Sequence, residues 1–251
     1  MKNKKNFTLY CLVIFFFFNI AFSSEEINYS SNTIKILENG KVISGEGDVK
    51  ILIGENIFIS SEKFKYNRKT GLYKISNNVQ FIDQINNTKA SGSEFILSTF
   101  DNKILSKTKS KIIYNNTYNI DLTNFEYDIN DQKISSSDFV KIKDNINNYF
   151  ELYEFLLDLK TNNFLGKEIK FIDNQQNKYF LNEVVVSANN NKIYGKEIKF
   201  FDNQQNKYLL KEVVIDTDND NLYGRDLDID FNKSLLGNNN NDPRLKAKSI
   251  K

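Results

Sequence analysis

Gly166-Lys167-Glu168-Ile169-Lys170-Phe171-Ile172-Asp173-Asn174-Gln175-Gln176-Asn177-Lys178 recurs at Gly195–Lys207, with Phe201 in place of Ile172 as the one change. The offset is 29 residues, 195 against 166. A further copy opens at Gly224-Arg225-Asp226-Leu227-Asp228-Ile229, and Ser137-Asp138-Phe139-Val140-Lys141-Ile142 falls in the same register upstream. Repetition at a fixed period of this size marks a tandem array of one supersecondary unit. A second element keeps time with the first. Glu154-Phe155-Leu156-Leu157, Glu183-Val184-Val185-Val186 and Glu212-Val213-Val214-Ile215 align, and older copies lie at Lys63–Tyr66, Glu94–Leu97 and Asn124–Tyr127. The anchors at 64, 95, 125, 155, 184 and 213 step by 31, 30, 30, 29 and 29, so six units account for nearly all of the chain after its leader.

Each unit reads as two strands. Val49, Ile51 and Ile53 alternate with Lys50 and Leu52, Phe64 and Tyr66 with Lys63 and Lys65, and Val79 and Phe81 with Gln80 and Ile82. A period of two in β-branched and aromatic residues is the signature of a half-buried strand. Asn67-Arg68-Lys69-Thr70-Gly71, Asp101-Asn102-Lys103, Asn130-Asp131-Gln132 and Asn189-Asn190-Asn191 supply turns. Tyr149 to Leu157 has spacing compatible with a helix, but its register with the Val-rich copies makes it a strand. Stacking each strand beside its copy in the preceding unit gives six steps and a sheet edge of roughly 29 Å. The expected fold is all-β: an elongated, open-ended pair of antiparallel-type sheets with alternate apolar side chains inside. Its end strands are unpaired edges, to be blocked or used for head-to-tail pairing.

Composition removes most chemistry. The 251 residues hold no His, no Trp, one Cys (Cys11), one Met and one Pro (Pro243). A His-based acid–base pair, a Cys/His zinc site and an intrachain disulfide are thereby excluded. Lys+Arg 34 against Asp+Glu 32 leaves no clustered basic excess of the kind nucleic acid requires. Lys2-Asn3-Lys4-Lys5 followed by the apolar run Leu9–Phe22 reads as a signal peptide, residues 1–23, cut after Ser23. Asp216-Thr217-Asp218-Asn219-Asp220 has the acid spacing of a calcium loop, but Asn221 and Leu227 stand where Gly and Glu are needed, so it reads as an acidic turn. Glu154, Glu183 and Glu212 recur with the repeat, which suits a structural position and not a unique catalytic pair. The abundance of Asn reads as compositional drift. No enzyme activity, cofactor or metal is expected.

Ile43-Ser44-Gly45-Glu46-Gly47-Asp48-Val49-Lys50-Ile51, then Ile57 to Gly71, then Asn78-Val79-Gln80-Phe81, resemble the OstA-like repeat of the periplasmic lipopolysaccharide-transport proteins LptA and the N-terminal domain of LptD. Asp48-Val49, Tyr66, Thr70 and Gly71 are kept, while Ser60-Ser61-Glu62 occupies the region where Ala-Asp is usual. Asn241-Asp242-Pro243-Arg244-Leu245 is similar to a segment of LptD periplasmic domains, which continue into cysteines and a transmembrane β-barrel absent here; residues 24–251 are therefore expected to be a truncated or split member. The resemblance implies a β-jellyroll that binds the acyl chains of lipopolysaccharide between its sheets and delivers it toward the outer membrane. It also implies strand-edge pairing with other Lpt jellyrolls and a separate or missing outer-membrane barrel as partner. The inward residues of the best-matching units, Val49, Ile51, Ile57, Ile59, Phe64, Tyr66, Tyr73, Ile75, Val79, Phe81 and Phe95, are the expected lipid lining. Burial of a 12-carbon chain there would gain roughly 10 kcal/mol. The alternative is a surface β-repeat of adhesin or S-layer type with a filled core and no lipid.

Overall fold

Alternation at every unit builds strands, and the turns reverse them. The computed structural model describes residues 26–174, 176–187, 189–202, 204–219, 221–232 and 244–250, so the expected leader lies outside the described residues. The N-terminal strands are β1 (Ile27–Ser30), β2 (Thr33–Leu37), β3 (Val42–Ile53), β4 (Ile57–Asn67), β5 (Leu72–Asp83) and β6 (Thr88–Ser98). Short strands follow: β7 (Lys103–Ser106), β8 (Ser110–Tyr114), β9 (Tyr118–Leu122), β10 (Phe125–Asp128), β11 (Lys133–Ser136) and β12 (Val140–Lys143). The long strands then resume as β13 (Tyr149–Asp158), β14 (Asn163–Ile172), β15 (Lys178–Ser187), β16 (Lys192–Phe201), β17 (Lys207–Asp216) and β18 (Asn221–Asp230), ending with β19 (Arg244–Ile250). The ambiguous segment at Tyr149 is strand, as its register requires.

Every strand pairing is antiparallel, and the two halves of each long strand belong to different ladders. Residues 88–92 of β6 pair with β8, whereas residues 96–98 pair with β7. Following the ladders gives two walls. The first runs β1-β3-β4-β5-β6-β8-β9-β12-β13 and on to β19; the second runs β2-β3-β4-β5-β6-β7-β10-β11-β13 and on to β19. Long strands cross from one wall to the other, so the molecule is a single sheet folded along a seam, with a jellyroll core inside the fold. Among the described residues, fifteen strands per wall spaced at about 4.8 Å give walls about 67 Å long.

That length corrects the stacking read from the sequence. A strand does not lie beside its copy from the previous unit. It lies beside its own hairpin sibling, and each sibling enters both walls, so one unit adds two steps per wall instead of one.

The seam is made by bulges. Between the pairs Glu46–Lys63 and Val49–Ser61, two residues of β3 (Gly47 and Asp48) face one of β4 (Glu62), and comparable shifts recur in the β4–β5, β5–β6, β13–β14 and β17–β18 pairs. An extra residue bends the strand and sharpens its twist. Left-handed backbone marks the same line, at Gly47 (φ +77°), Asn78 (φ +55°), Glu154 (φ +50°) and Glu212 (φ +49°). Through the short strands the seam is an interruption, bridged by hydroxyls. Ser110 Oγ donates to Ser106 Oγ at 3.0 Å, and Ser136 Oγ donates to the Thr123 carbonyl at 2.8 Å.

Asparagine does local work, contrary to its reading as drift. Eleven of the twenty non-glycine residues with positive φ among the described residues are Asn, the side chain that tolerates this region best by bonding to its own backbone. Asn148 and Asn206 go further: the Oδ1 of each accepts the backbone N–H of Asn174 or Asn232, 26 residues on, and so ties one turn to the next.

Candidate functional site between the two walls

Inward residues from both walls meet in one continuous apolar cluster. In its first half the walls are closed on each other. Tyr29 of the first wall packs on Phe64 and Tyr73 of the second at 5.2 and 6.2 Å between ring centroids, and Phe81 meets Tyr127 edge-on at 5.4 Å. All eleven residues expected to line a lipid site point into this cluster. Val49, Ile51, Ile57, Ile59, Phe64, Tyr73, Ile75, Val79, Phe81 and Phe95 are buried and Tyr66 half-buried, stacked on Tyr73 at 4.1 Å. They fill the space by packing on one another. The Tyr73 hydroxyl is held above its ordinary pKa, first by burial and then by Tyr66 and Tyr29. Hydroxyl clasps join the walls at the open rim opposite the seam. Tyr127 Oη donates to Asp83 Oδ2, and Tyr114 Oη to Asn162 Oδ1.

The second half is built differently. Phe150, Phe171, Tyr179, Phe200 and Tyr208 form a ladder of rings along the first wall, with centroids 4.6, 5.2, 4.6 and 4.9 Å apart. The repeat puts them there: Tyr208 is the copy of Tyr179, and Phe200 the copy of Phe171. Phe150 and Phe171 are buried at 6% and 0% exposure, and from Phe171 onward exposure rises through Tyr179 (7%) to half-buried Phe200 and Tyr208. Val186, Ile193, Ile215 and Leu222 face it from the second wall. At the rim a cleft of about 410 Å³ reaches Tyr118, Phe150, Val186 and Ile193, under a polar lip that includes Asp144, Asn148, Thr217 and Asp218. Burial, then Asp144, pushes the Tyr118 hydroxyl up to about 12.

The lip is cast by a turn that sequence reading passed over. Asp144, Asp173 and Asp202, spaced by 29, each accept the backbone N–H and the side-chain amide of the Asn four residues on, at 2.8–2.9 Å. Tyr179 and Tyr208 donate to Asp173 and Asp202 at 3.0 and 2.9 Å, which fixes two rungs of the ladder. The Asp-x-x-x-Asn spacing was the available signal. The repeated acids have structural roles too. Glu154 and Glu212 hold the seam in left-handed backbone and pair with Lys167 and Arg225 at 2.5 and 3.0 Å. In the acidic turn, Asp216 accepts from Asn219, and Asp218 from Asn191 at 2.9 Å.

These features define a class: an all-β, double-walled jellyroll of antiparallel hairpins whose end strands, among the described residues, have no outer neighbour. Among solved structures the chain is similar to that of LptH, the LptA-homologous periplasmic component of the lipopolysaccharide transport device of Pseudomonas aeruginosa. Identity is 12% and the TM-score 0.40, over 45% of this chain and 82% of that one. A likeness at this score identifies no family. No family model matches the sequence, and no curated protein does.

Proposed function

We propose that the chain is a periplasmic, non-catalytic jellyroll that binds lipopolysaccharide by its acyl chains and takes part in its passage to the outer membrane, in the manner of an LptD N-terminal domain. Export depends on residues 1–23. The OstA-like motifs of residues 43–81 support this reading, and one structural observation carries it: a ladder of aromatic rings between two walls, increasingly exposed toward one end. Burial there stabilises a hydrocarbon tail by about 0.8 kcal/mol per methylene. The sugars stay in water, so no polar recognition is needed.

Strand edges serve docking to other Lpt jellyrolls. The two ends differ in chemistry. β2 presents Ile34 and Ile36, 47% and 68% exposed, whereas β19 presents Arg244, Lys246 and Lys248. Edges are ordinarily blunted by such charges and made adhesive by their absence. An outer-membrane β-barrel is the partner at which such a path ends.

Photocrosslinking separates the candidate linings. A photoreactive residue at Phe200 or Tyr208 is expected to give a lipopolysaccharide adduct, with weaker adducts at Phe64 and Phe81. Absence of adducts at all four positions overturns the proposal. It would favour the second reading, a structural β-repeat of the cell surface, to which the tight packing of the first units already lends support.

A further inference from the structure

One hydroxyl at the rim cleft is left over. Tyr118 is buried at 8% exposure, and its ring packs edge-on against Phe164 at 4.8 Å. Its hydroxyl has no hydrogen-bond partner among the described residues, unlike the clasping hydroxyls of Tyr114 and Tyr127. No fully enclosed side-chain oxygen or nitrogen among the described residues lacks a partner, so this hydroxyl opens into the cleft that Tyr118 lines. Two carboxylates stand around it, Asp144 from the β12–β13 turn of the first wall and Asp218 from the β17–β18 turn of the second. After burial, Asp144, Tyr114 and Asp218 hold its pKa up at about 12. Both acids bond to neutral groups. Asp144 accepts from the backbone N–H of Ile146 and from Asn148, and Asp218 from the side-chain amide of Asn191. Among the described residues neither is in an ion pair and no Lys or Arg lines the cleft, while Lys192 reaches Asp216 instead, at 3.8 Å.

We infer that the rim cleft binds a short primary alkylamine, its ammonium at the lip beside Tyr118, Asp144 and Asp218 and its hydrocarbon on the floor. The hydrogen-bond inventory sets the head group. Thr217 Oγ1 donates to the Asn191 carbonyl at 2.9 Å and Thr117 Oγ1 to the Asn115 carbonyl at 3.1 Å, while Asn148 and Asn191 spend amide protons on the two acids. What faces the opening is mainly acceptors, the lone pairs of hydroxyls and carboxylates. An ammonium donates three hydrogen bonds and accepts none. A carboxylate or phosphate would meet like charge with no cation beside it. The floor sets the rest. Phe150, Val186 and Ile193 are buried, whereas Asp144 and Thr217 are half-buried and Asp218 is exposed, so the cleft is polar at its mouth and apolar at depth. A ligand with one charged end and one hydrocarbon end matches that gradient. Calcium does not, since it gathers about six to eight oxygens, and a diamine would press its second charge onto Phe150. At about 410 Å³ the cleft is in the size range of small-molecule sites. An acyl chain makes no use of the two acids, so the site stands whether or not the interior holds lipopolysaccharide.

Hexylammonium, titrated onto the full chain near neutral pH and followed by ligand-detected NMR, tests the inference. It is expected to bind saturably, hexanoate not at all, and the diamine of the same length about tenfold more weakly. Tyr118→Phe keeps the ring and removes the hydroxyl, and should weaken hexylammonium about tenfold. Asp218→Asn, in an exposed turn, should weaken it about three- to fivefold. Both should leave the urea midpoint little changed, and if Tyr118→Phe fails to fold, Asp218→Asn decides alone. Hexanoate binding as tightly as hexylammonium, or hexylammonium binding that neither substitution weakens, would place the hydrocarbon in the apolar interior and overturn the lip site. Lipopolysaccharide adducts at Phe200 and Tyr208 would stand in either case. Absence of hexylammonium binding would overturn the site with those adducts again intact. Calcium binding lost in Asp218→Asn, without amine binding, would assign the lip to a metal ion and overturn it equally.

Discussion

Glu154, Glu168, Glu212 and Asp226 hold φ near +50°, a conformation that costs an L residue about 1–2 kcal/mol. At Glu212 the return is an ion pair to Arg225 whose side chains are 65% and 70% exposed, and such pairs contribute about 0.2–1 kcal/mol. Strain outweighs the pair. Glu212→Gly is therefore expected to raise stability by about 0.5–1 kcal/mol in urea unfolding; a loss would show that the carboxylate does more than pair. Asp202 acts in the opposite sense. Burial pushes its pKa up, but hydrogen bonds from Asn206, Tyr208 and Gln204 outweigh that and hold it below the usual aspartate value. A depressed folded-state pKa gives stability that is present above the unfolded value, about 3.9, and lost as pH falls through the folded one. Stability should thus decline as pH drops below about 4, and less steeply in Asp202→Asn, when urea midpoints are compared across that range. At this scale the sequence was only half legible. The recurrence of Glu154 and Glu212 revealed a structural position, but not its left-handed backbone, because Glu is a residue type that gives no hint of positive φ. The Asp-x-x-x-Asn turn was visible as repeated letters, while its meaning lay in hydrogen bonds that bring the two ends together.

Strands were the most legible elements, since inward and outward positions follow a period of two wherever the sheet is regular. Bulges break that rule. In β4 the buried positions pass from odd (Ile57, Ile59, Ser61) to even (Phe64) across the seam, a phase change that reads in sequence as noise. The choice of neighbour was not legible, because alternation is the same whether a strand lies beside its sibling or its copy. The closest packing sits beside the seam at Gly45, where a Cβ would lie 2.1 Å from Cε1 of Phe64. Phe64 is buried at 3% exposure and hemmed in by Tyr29 and Tyr73, so its ring has little room to move. Gly45→Ala is expected to cost about 1–3 kcal/mol. Gly195→Ala, whose nearest contact is 3.3 Å from the aliphatic end of Leu181, should cost clearly less. Equal effects in thermal unfolding would mean that the Phe64 site is softer than its packing indicates.

For the whole molecule, the repeat sets what can be removed. Deleting residues 166–194 joins Leu165 to Gly195, the copy of Gly166, and takes out one hairpin, two strands from each wall. The shortened chain should keep its β-sheet circular dichroism and a cooperative transition, since a stacked array depends mainly on contacts between neighbouring units. Deleting only residues 166–180 reverses the direction of every later strand, and is expected to leave the protein insoluble or unfolded. Similar behaviour of the two deletions would refute the hairpin as the building unit. The array itself was legible because near-identical copies survive at Gly166 and Gly195. The choice of lining was guided instead by the units that best match the OstA-like pattern, where the structure has closed the interior, and no local pattern distinguishes a ring that fills space from one that borders it.

The hydroxyl clasps at Tyr114 and Tyr127 have a mechanical corollary. Under the function proposed above, a tail entering from the β19 end past the stacked rings would meet Phe164, on which Tyr114 and Tyr118 pack at 6.0 and 4.8 Å. The protein would then serve as a sheath with a stitched tip, and passage along its full length would wait on those stitches being undone.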